Sequence, residues 1–235
     1  MRSPLISCIV FLLLLTFSLE AQEADDFGAW GSVAYGAEVF DDLSFSIQQE
    51  VRMEDNASSI GTVFTNFAVD YRFNRSFRLG WNYRFILNRR ATGLFGHRHR
   101  TMLDLDFRTK LRQWTFAYRA RGQWEVRTNN YNNEFGFAPS SDFRNTFKVV
   151  YQYNRRIEYY SSFDLRILLR DPRIPSYQGV DRFRYRAGCE YLLAKEQSLG
   201  FFFQFQREIN IPEASQGFVI GLEYKFGSIR PLMES

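Results

Sequence analysis

The chain has 235 residues, a length that suits one domain. Hydrophobic residues make up 45% and charged residues 24%, a balance that excludes a disordered chain. The formal charge is +4, but the charges alternate with apolar residues along the chain instead of gathering in a patch or tail, which argues against a nucleic-acid partner.

The first segment reads MRSPLISCIVFLLLLTFSLEAQ. Arg2 supplies a basic start, Leu5 to Phe17 is a nearly continuous apolar run, and Leu19 and Ala21 fit the small-residue positions before a cleavage point. This predicts a secretory signal peptide over residues 1–21. The run is too short for a comfortable spanning helix, and nothing later in the chain approaches 18 apolar residues. Of the two cysteines, Cys8 falls in the leader, which leaves Cys189 with no intrachain partner.

The whole chain carries 25 Phe, 13 Tyr and 4 Trp, a load that favours strands and suits the aromatic belts of a membrane barrel. Segment 28–40 (GAWGSVAYGAEVF) alternates weakly and is rich in Gly and Ala. From there on the alternation is strong. In 43–55, Leu43, Phe45, Ile47, Val51 and Met53 oppose Ser44, Ser46, Gln48, Glu50 and Arg52. In 61–73, Val63, Phe67, Val69 and Tyr71 oppose Asn66, Asp70 and Arg72, and in 77–88, Phe77, Leu79, Trp81, Tyr83 and Phe85 oppose Arg78, Asn82 and Arg84. Segment 97–109 sets Leu103, Leu105 and Phe107 against Arg98, Arg100, Asp104 and Asp106. Segment 112–126 sets Trp114, Phe116, Tyr118 and Trp124 against Arg119, Arg121, Gln123 and Glu125.

The same pattern continues through 142–153 (Phe143, Phe147 and Val149 against Arg144 and Lys148) and 157–170 (Tyr159, Phe163 and Leu165 against Glu158, Asp164 and Arg166). It ends with 179–192 (Phe183 and Tyr185 against Arg182, Arg184, Arg186 and Glu190), 198–209 (Phe201, Phe203 and Phe205 against Gln204, Gln206 and Glu208) and 216–226 (Phe218, Ile220 and Leu222 against Glu223 and Lys225).

A period of two means one apolar and one polar face. Runs this long match the roughly 9–11 residues of a tilted membrane strand better than the roughly 5–6 of a globular one. The predicted fold is all-β: a transmembrane, antiparallel, up-and-down β-barrel of ten strands over residues 43–226, with twelve as the next count. A soluble secreted barrel or solenoid is the alternative, in which the aromatic faces would have to pack on one another or on a ligand. Segment 28–40 fits neither even count. Short links at 41–42, 74–76, 109–111, 154–156 and 193–197 alternate with longer ones at 89–96, 127–141 and 171–178, and those at 54–60 and 210–215 join the longer set by alternation. Short turns belong to the periplasmic side of such barrels and long loops to the exterior, so the C-terminus is expected in the periplasm. The predicted organisation is leader 1–21, barrel 22–227 and periplasmic tail 228–235.

Several stretches carry a family resemblance: FGAW before a weak strand and a short acidic turn, then YRFNRSFRLGWNYRF, DRFRYRAGCEYLL and the closing GFVIGLEYKFG. Across roughly residues 27–227 the chain resembles the uncharacterised outer-membrane barrel family known as domain of unknown function 2490, found mostly in Bacteroidetes. The resemblance implies a fold and a location in the bacterial outer membrane. It implies no activity and no catalytic residues.

Candidate chemistry is sparse. His97 and His99 flank Arg98 in GHRHR, both with outward parity. A lipid hydrolase would need one of them as base, Ser140, Ser141 or Ser176 as nucleophile, and Asp142 or Asp181 to orient it. Two histidines alone do not define a metal site, and Asp104, Asp106 and Glu134 do not form a compact oxygen set. No cofactor, metal or catalytic residue is therefore assigned. The polar faces say more. Arg98, Arg100, Asp104, Asp106, Arg119, Arg121, Arg166, Arg182, Arg184 and Arg186 share lumen parity and form the candidate binding set, with Arg144, Glu125, Asp164, Glu158 and Glu190 beside them. Such a lumen is either a self-paired scaffold or a cationic path for anionic solutes. Three function classes follow: a structural or binding barrel, a small pore for polar or anionic solutes, or an outer-leaflet lipid hydrolase. The expected partners are outer-membrane lipids or lipopolysaccharide and, during insertion, the barrel-assembly machinery. A monomer is expected.

Overall fold

The computed structural model describes residues 25–89, 93–128, 139–172, 174, 176–211 and 214–227. The predicted leader and the tail 228–235 lie outside these residues, as does most of the 127–141 link. The described residues form eleven strands: β1 (Asp25–Phe40), β2 (Leu43–Glu54), β3 (Ser59–Arg72), β4 (Phe77–Arg89), β5 (Phe95–Leu111), β6 (Trp114–Thr128), β7 (Ser140–Gln152), β8 (Ile157–Arg170), β9 (Gly179–Ala194), β10 (Gln197–Glu208) and β11 (Gln216–Gly227). They close into one barrel in which each strand pairs with its sequence neighbours and β1 pairs with β11.

The all-β barrel predicted from the alternation is the fold observed. Its strand count of eleven falls between the two predicted counts because the weak segment 28–40 is a full strand. An up-and-down meander with an odd number of strands has first and last strands pointing the same way. Closure must then be parallel, and β1 pairs with β11 in parallel from Asp25↔Gln216 to Gly36↔Gly227. On its other edge β1 pairs antiparallel with β2. The weak alternation of β1 has a simple cause: Gly28, Ser32, Ala34 and Gly36 share the lumen face with Trp30, so that face is small rather than charged.

One rim carries tight turns. FNRSF and YNRRI repeat a single design, in which the side chain of Asn74 accepts from the backbone N–H of Ser76 and Phe77 (2.8 and 2.9 Å) and that of Asn154 from Arg156 and Ile157 (2.8 and 2.9 Å). Asparagine favours such turns because its amide oxygen mimics a backbone carbonyl. The link predicted at 109–111 lies instead at Arg112–Gln113, because β5 runs on through Leu111, and the one predicted at 193–197 shrinks to Lys195–Glu196. The strand ends that the longer links join, and the start of β1, lie on the opposite rim.

The outer face is apolar around the whole wall. Phe45, Phe67, Trp81, Leu103, Phe116, Phe147, Phe163, Phe201 and Leu222 are all exposed. Aromatic rings gather towards both rims. Near the tight turns, Tyr71, Phe73, Phe77 and Phe107 stack in sequence with centroids 4.9–5.1 Å apart, Trp114 meets Tyr151, and Tyr35 meets Phe226. Towards the other rim, Phe163, Phe183, Phe205, Phe218 and Phe203 form a second chain of rings. The buried positions are on the lumen face, where Phe64, Met102 and Phe202 sit beside Asp104, Gln123, Asp181 and Gln204.

Candidate functional site in the barrel lumen

Alternation aims one residue in two at the lumen, so the polar faces of neighbouring strands meet there. Between β4 and β6 they form a ladder of opposite charges. Arg78 donates to Asp106 (3.0 Å), Arg119 to Asp106 (2.7 Å), and Arg121 to both oxygens of Asp104 (2.6 and 2.6 Å). Asn82 donates a further bond to Asp104 at 3.2 Å and receives one from Asn66 at 3.3 Å. Nearer the loop rim Glu125 is surrounded by Arg100, Arg127 (3.0 Å) and Arg98 (3.6 Å). The forked guanidinium suits such two-point contacts, which are stronger than neutral hydrogen bonds.

The ladder continues across β7 to β10. Arg144 donates to Asp164 at 2.6 Å, Arg166 is bidentate on Asp181, and Arg182 donates to Glu208. Asp181 owes its place to a bulge. The register of β8 and β9 slips so that Arg166 faces Arg182 while Ile167 faces Val180, which leaves Asp181 as the extra residue. A bulge re-aims a side chain, and Asp181 turns inward to 1% exposure although its parity groups it with outward-facing Phe183.

Around the β1–β11 seam the lumen wall changes character. Tyr160, Gly188, Phe202, Gly221 and Trp30 are consecutive partners across β8, β9, β10, β11 and β1. Rings alternate with glycines, and the Tyr160 ring lies over Gly188 and the Phe202 ring over Gly221. A Cβ on Gly188 would meet the Tyr160 ring at 2.8 Å, and one on Gly221 would overlap the Phe202 ring. Trp30 and Phe202 meet edge to face at 6.1 Å. Arginines cover the rings: Arg52 over Trp30 at 3.7 Å, Arg84 over Phe64 at 3.9 Å and Arg186 over Phe202 at 4.0 Å. Lys148 lies 4.4 Å over Tyr160. Cation–π contact stabilises a positive charge without an acid.

Two cavities occupy the described lumen. One, of about 380 Å³, lies towards the loop rim among Arg98, Glu125, Asp142, Arg166 and Arg182. The other, of about 230 Å³, lies towards the turn rim among Arg144, Lys148, Tyr160, Arg184 and Gln204. They share no lining residue. Met102 and Asp104 stand between them on β5, at 1% and 2% exposure.

All ten residues of the predicted binding set face the lumen. Asp104, Asp106, Arg119 and Arg121 join one network, Arg98 and Arg100 share Glu125, and Arg166 and Arg182 pair separately. Arg184 has the side-chain oxygen of Gln206 as its hydrogen-bond partner, and Arg186 contacts Gln204 and Glu223. Sequence reasoning missed the lumen-facing aromatics Trp30, Phe64, Tyr160 and Phe202. The signal was present: each is a large ring on a face otherwise small or polar, and three of the four flank the glycines of neighbouring strands.

The hydrolase constellation is not assembled. His99 Nδ1 shares a 2.7 Å hydrogen bond with the Tyr83 hydroxyl, and both histidines pack against Phe85 on the outer face. Asp142 and Asp181 are on the other side of the wall, engaged with Gln123 and Arg166, and Ser140 lines the upper lumen cavity.

An alternating wall of this kind, apolar outside, charged inside and closed on itself, defines a β-barrel protein of the up-and-down class. The chain belongs to the family described as protein of unknown function (DUF2490), whose profile matches residues 27–215. No curated protein matches it. Among solved structures it is similar to the porin NanC, with 11% identity and a TM-score of 0.48 over 77% of this chain and 85% of that one. It is also similar to the beta domain of the Bordetella autotransporter BrkA, with 11% identity and a TM-score of 0.40 over 75% and 78% of the two chains.

Proposed function

We propose that this protein is an exported, monomeric barrel of the bacterial outer membrane with a structural or binding role, centred on a charged, arginine-rich lumen. The observation that carries the reading is the continuous apolar outer face with an aromatic belt towards each rim. Soluble monomers rarely expose contiguous apolar surface beyond a few hundred Å², whereas a lipid-facing band flanked by two aromatic girdles is what a bilayer selects. Residues 1–21 act as the export signal. The tight-turn rim faces the periplasm with the tail 228–235, and the long loops face the lipopolysaccharide of the outer leaflet. A closed wall leaves no free strand edge for partners, in keeping with a monomer inserted by the barrel-assembly machinery.

The packing of Met102 and Asp104 between the two cavities favours a binding barrel over a wide pore. Planar-bilayer recording separates the two: no steady open state is expected, and a unitary conductance would assign the protein to the pores.

The membrane reading is tested by depth. Phe147 is mid-strand on β7 and Tyr153 is at its turn rim, and both are exposed. Phe147→Arg should destabilise the barrel in phosphatidylcholine vesicles by about 2–4 kcal/mol and Tyr153→Arg by about 0–1 kcal/mol. Urea unfolding measures both. Equal small costs would show that the outer face does not meet lipid.

A further inference from the structure

We propose that the turn-side lumen cavity is a binding site for one small oxyanion, held by Lys148, Arg184, Arg144 and Gln204. The inference deepens the binding role proposed above by naming its ligand class.

The first observation is an imbalance of charge. Four carboxylates line this cavity, and each is already engaged. Asp106 holds Arg78 and Arg119, and Asp164 accepts from Arg144 and Thr146. Glu190 accepts from Ser198 and Lys225, and Glu223 pairs with Arg186 and Lys225. Two cations of the described lining, Lys148 and Arg184, are left over. Lys148 has the Tyr160 ring face but no carboxylate at ion-pair distance. Arg184 has one neutral acceptor, the side chain of Gln206 at 2.5 Å.

The second observation is independent of charge. Gln204 is 1% exposed, and its amide oxygen is taken by Arg186 at 2.9 Å, while its Nε2 has no partner. Arg144 leaves its Nε unpartnered in the same way. Both residues line this cavity with Lys148 and Arg184. A buried donor without an acceptor is costly, and the two residues that carry the orphan donors line the same cavity as the two unpaired cations. The species that answers Lys148 and Arg184 together is an acceptor of several hydrogen bonds with negative charge.

Size narrows the class. About 230 Å³ is below the roughly 300–1,000 Å³ of pockets for drug-sized ligands. It admits a phosphate or sulfate with a few waters. The arrangement is a fixed set of donors around a void, as preorganised anion sites require.

The test is isothermal titration of inorganic phosphate into the full barrel in detergent micelles, at constant ionic strength held with sodium chloride. Saturable binding of one equivalent is expected. Lys148→Met and Arg184→Gln should each weaken it at least tenfold, Lys148→Arg should retain it, and Arg112→Gln at an exposed turn should leave it unchanged. Variant folding is checked by heat-modifiable migration on gels. No saturable heat with phosphate or with sulfate would overturn the proposal, as would wild-type affinity in a folded Lys148→Met/Arg184→Gln double variant. Because binding is read in micelles, it stands or falls apart from the outer-membrane placement, which the Phe147 and Tyr153 variants test.

Discussion

The lumen has two arcs that solve the same problem differently. Along β4 to β9 each strand offers guanidinium or carboxylate groups and the charges cancel in pairs, as in Arg78–Asp106–Arg119 and Arg144–Asp164. Around the seam, from β9 through β1 to β4, three arginines lie on Phe202, Trp30 and Phe64, and two of them, Arg186 and Arg52, also keep an acid, Glu223 and Glu50. Of these, Arg84 has no carboxylate partner among the described residues and relies on Phe64 and the side-chain oxygen of Asn66. The contrast follows from β1 and β11, the strands that close the barrel. Their lumen faces carry Gly28, Gly36, Gly217 and Gly221, which leave room for flat rings but offer few charges. Closure by a parallel pair of small-residue strands therefore calls for large side chains from the strands beside it.

If the ionic arc is held by its pairs, breaking one should cost more than any change in the aromatic arc. Asp104 is the strongest choice, since it accepts both Arg121 contacts and is almost wholly buried. Asp104→Ala leaves Arg121 with no acid, and removing one member of a buried pair costs about 3–5 kcal/mol. Asp104→Asn keeps the shape and an acceptor oxygen, so it should cost less. Urea unfolding of refolded protein measures both. A cost near zero for the alanine variant would mean that water, not the carboxylate, supports Arg121, and the distinction between the arcs would lose half its basis.

The aromatic arc predicts a steric rather than an electrostatic failure. Gly221 is the floor on which the Phe202 ring rests. Gly221→Val forces that ring off its site and should cost about 1–3 kcal/mol, the usual range for overpacking. Adding Phe202→Ala to this background should recover part of the loss by making room. If Gly221→Val is neutral alone, the ring–glycine alternation is incidental.

The two arcs also differed in how readable they were. Regular alternation exposes a face by itself, so β2 to β11, the lumen arginines and the outward histidines could be placed from parity. Two features resisted. Parity breaks at a bulge, which is why Asp181 points the opposite way from its neighbours' pattern. β1 hides for another reason: a strand of Gly, Ala and Ser has little hydrophobic contrast between faces, although its pairing is set by backbone bonds and needs none. Pairing partners are likewise invisible to a period of two, so Gly221 could not be matched with Phe202 and Trp30 until the register was known.

The smallest effect bears most directly on what the rings do for the arginines. Phe64 has Arg84 at 3.9 Å and Arg52 at 5.0 Å over its face. Phe64→Leu keeps a similar apolar volume and removes the π face, so its cost should be about 1 kcal/mol, within the range of partly desolvated cation–π contacts. Packing alone could give that figure, and a double-mutant cycle separates the two causes. In an Arg84→Met background the cation is gone while much of the stem remains. If the ring stabilises Arg84 by its quadrupole, Phe64→Leu should then cost roughly half as much, with Arg52 supplying the weaker remainder. An unchanged cost in both backgrounds would reduce Phe64 to a space-filler, and Arg84 would stand in the lumen on its bond to Asn66 alone.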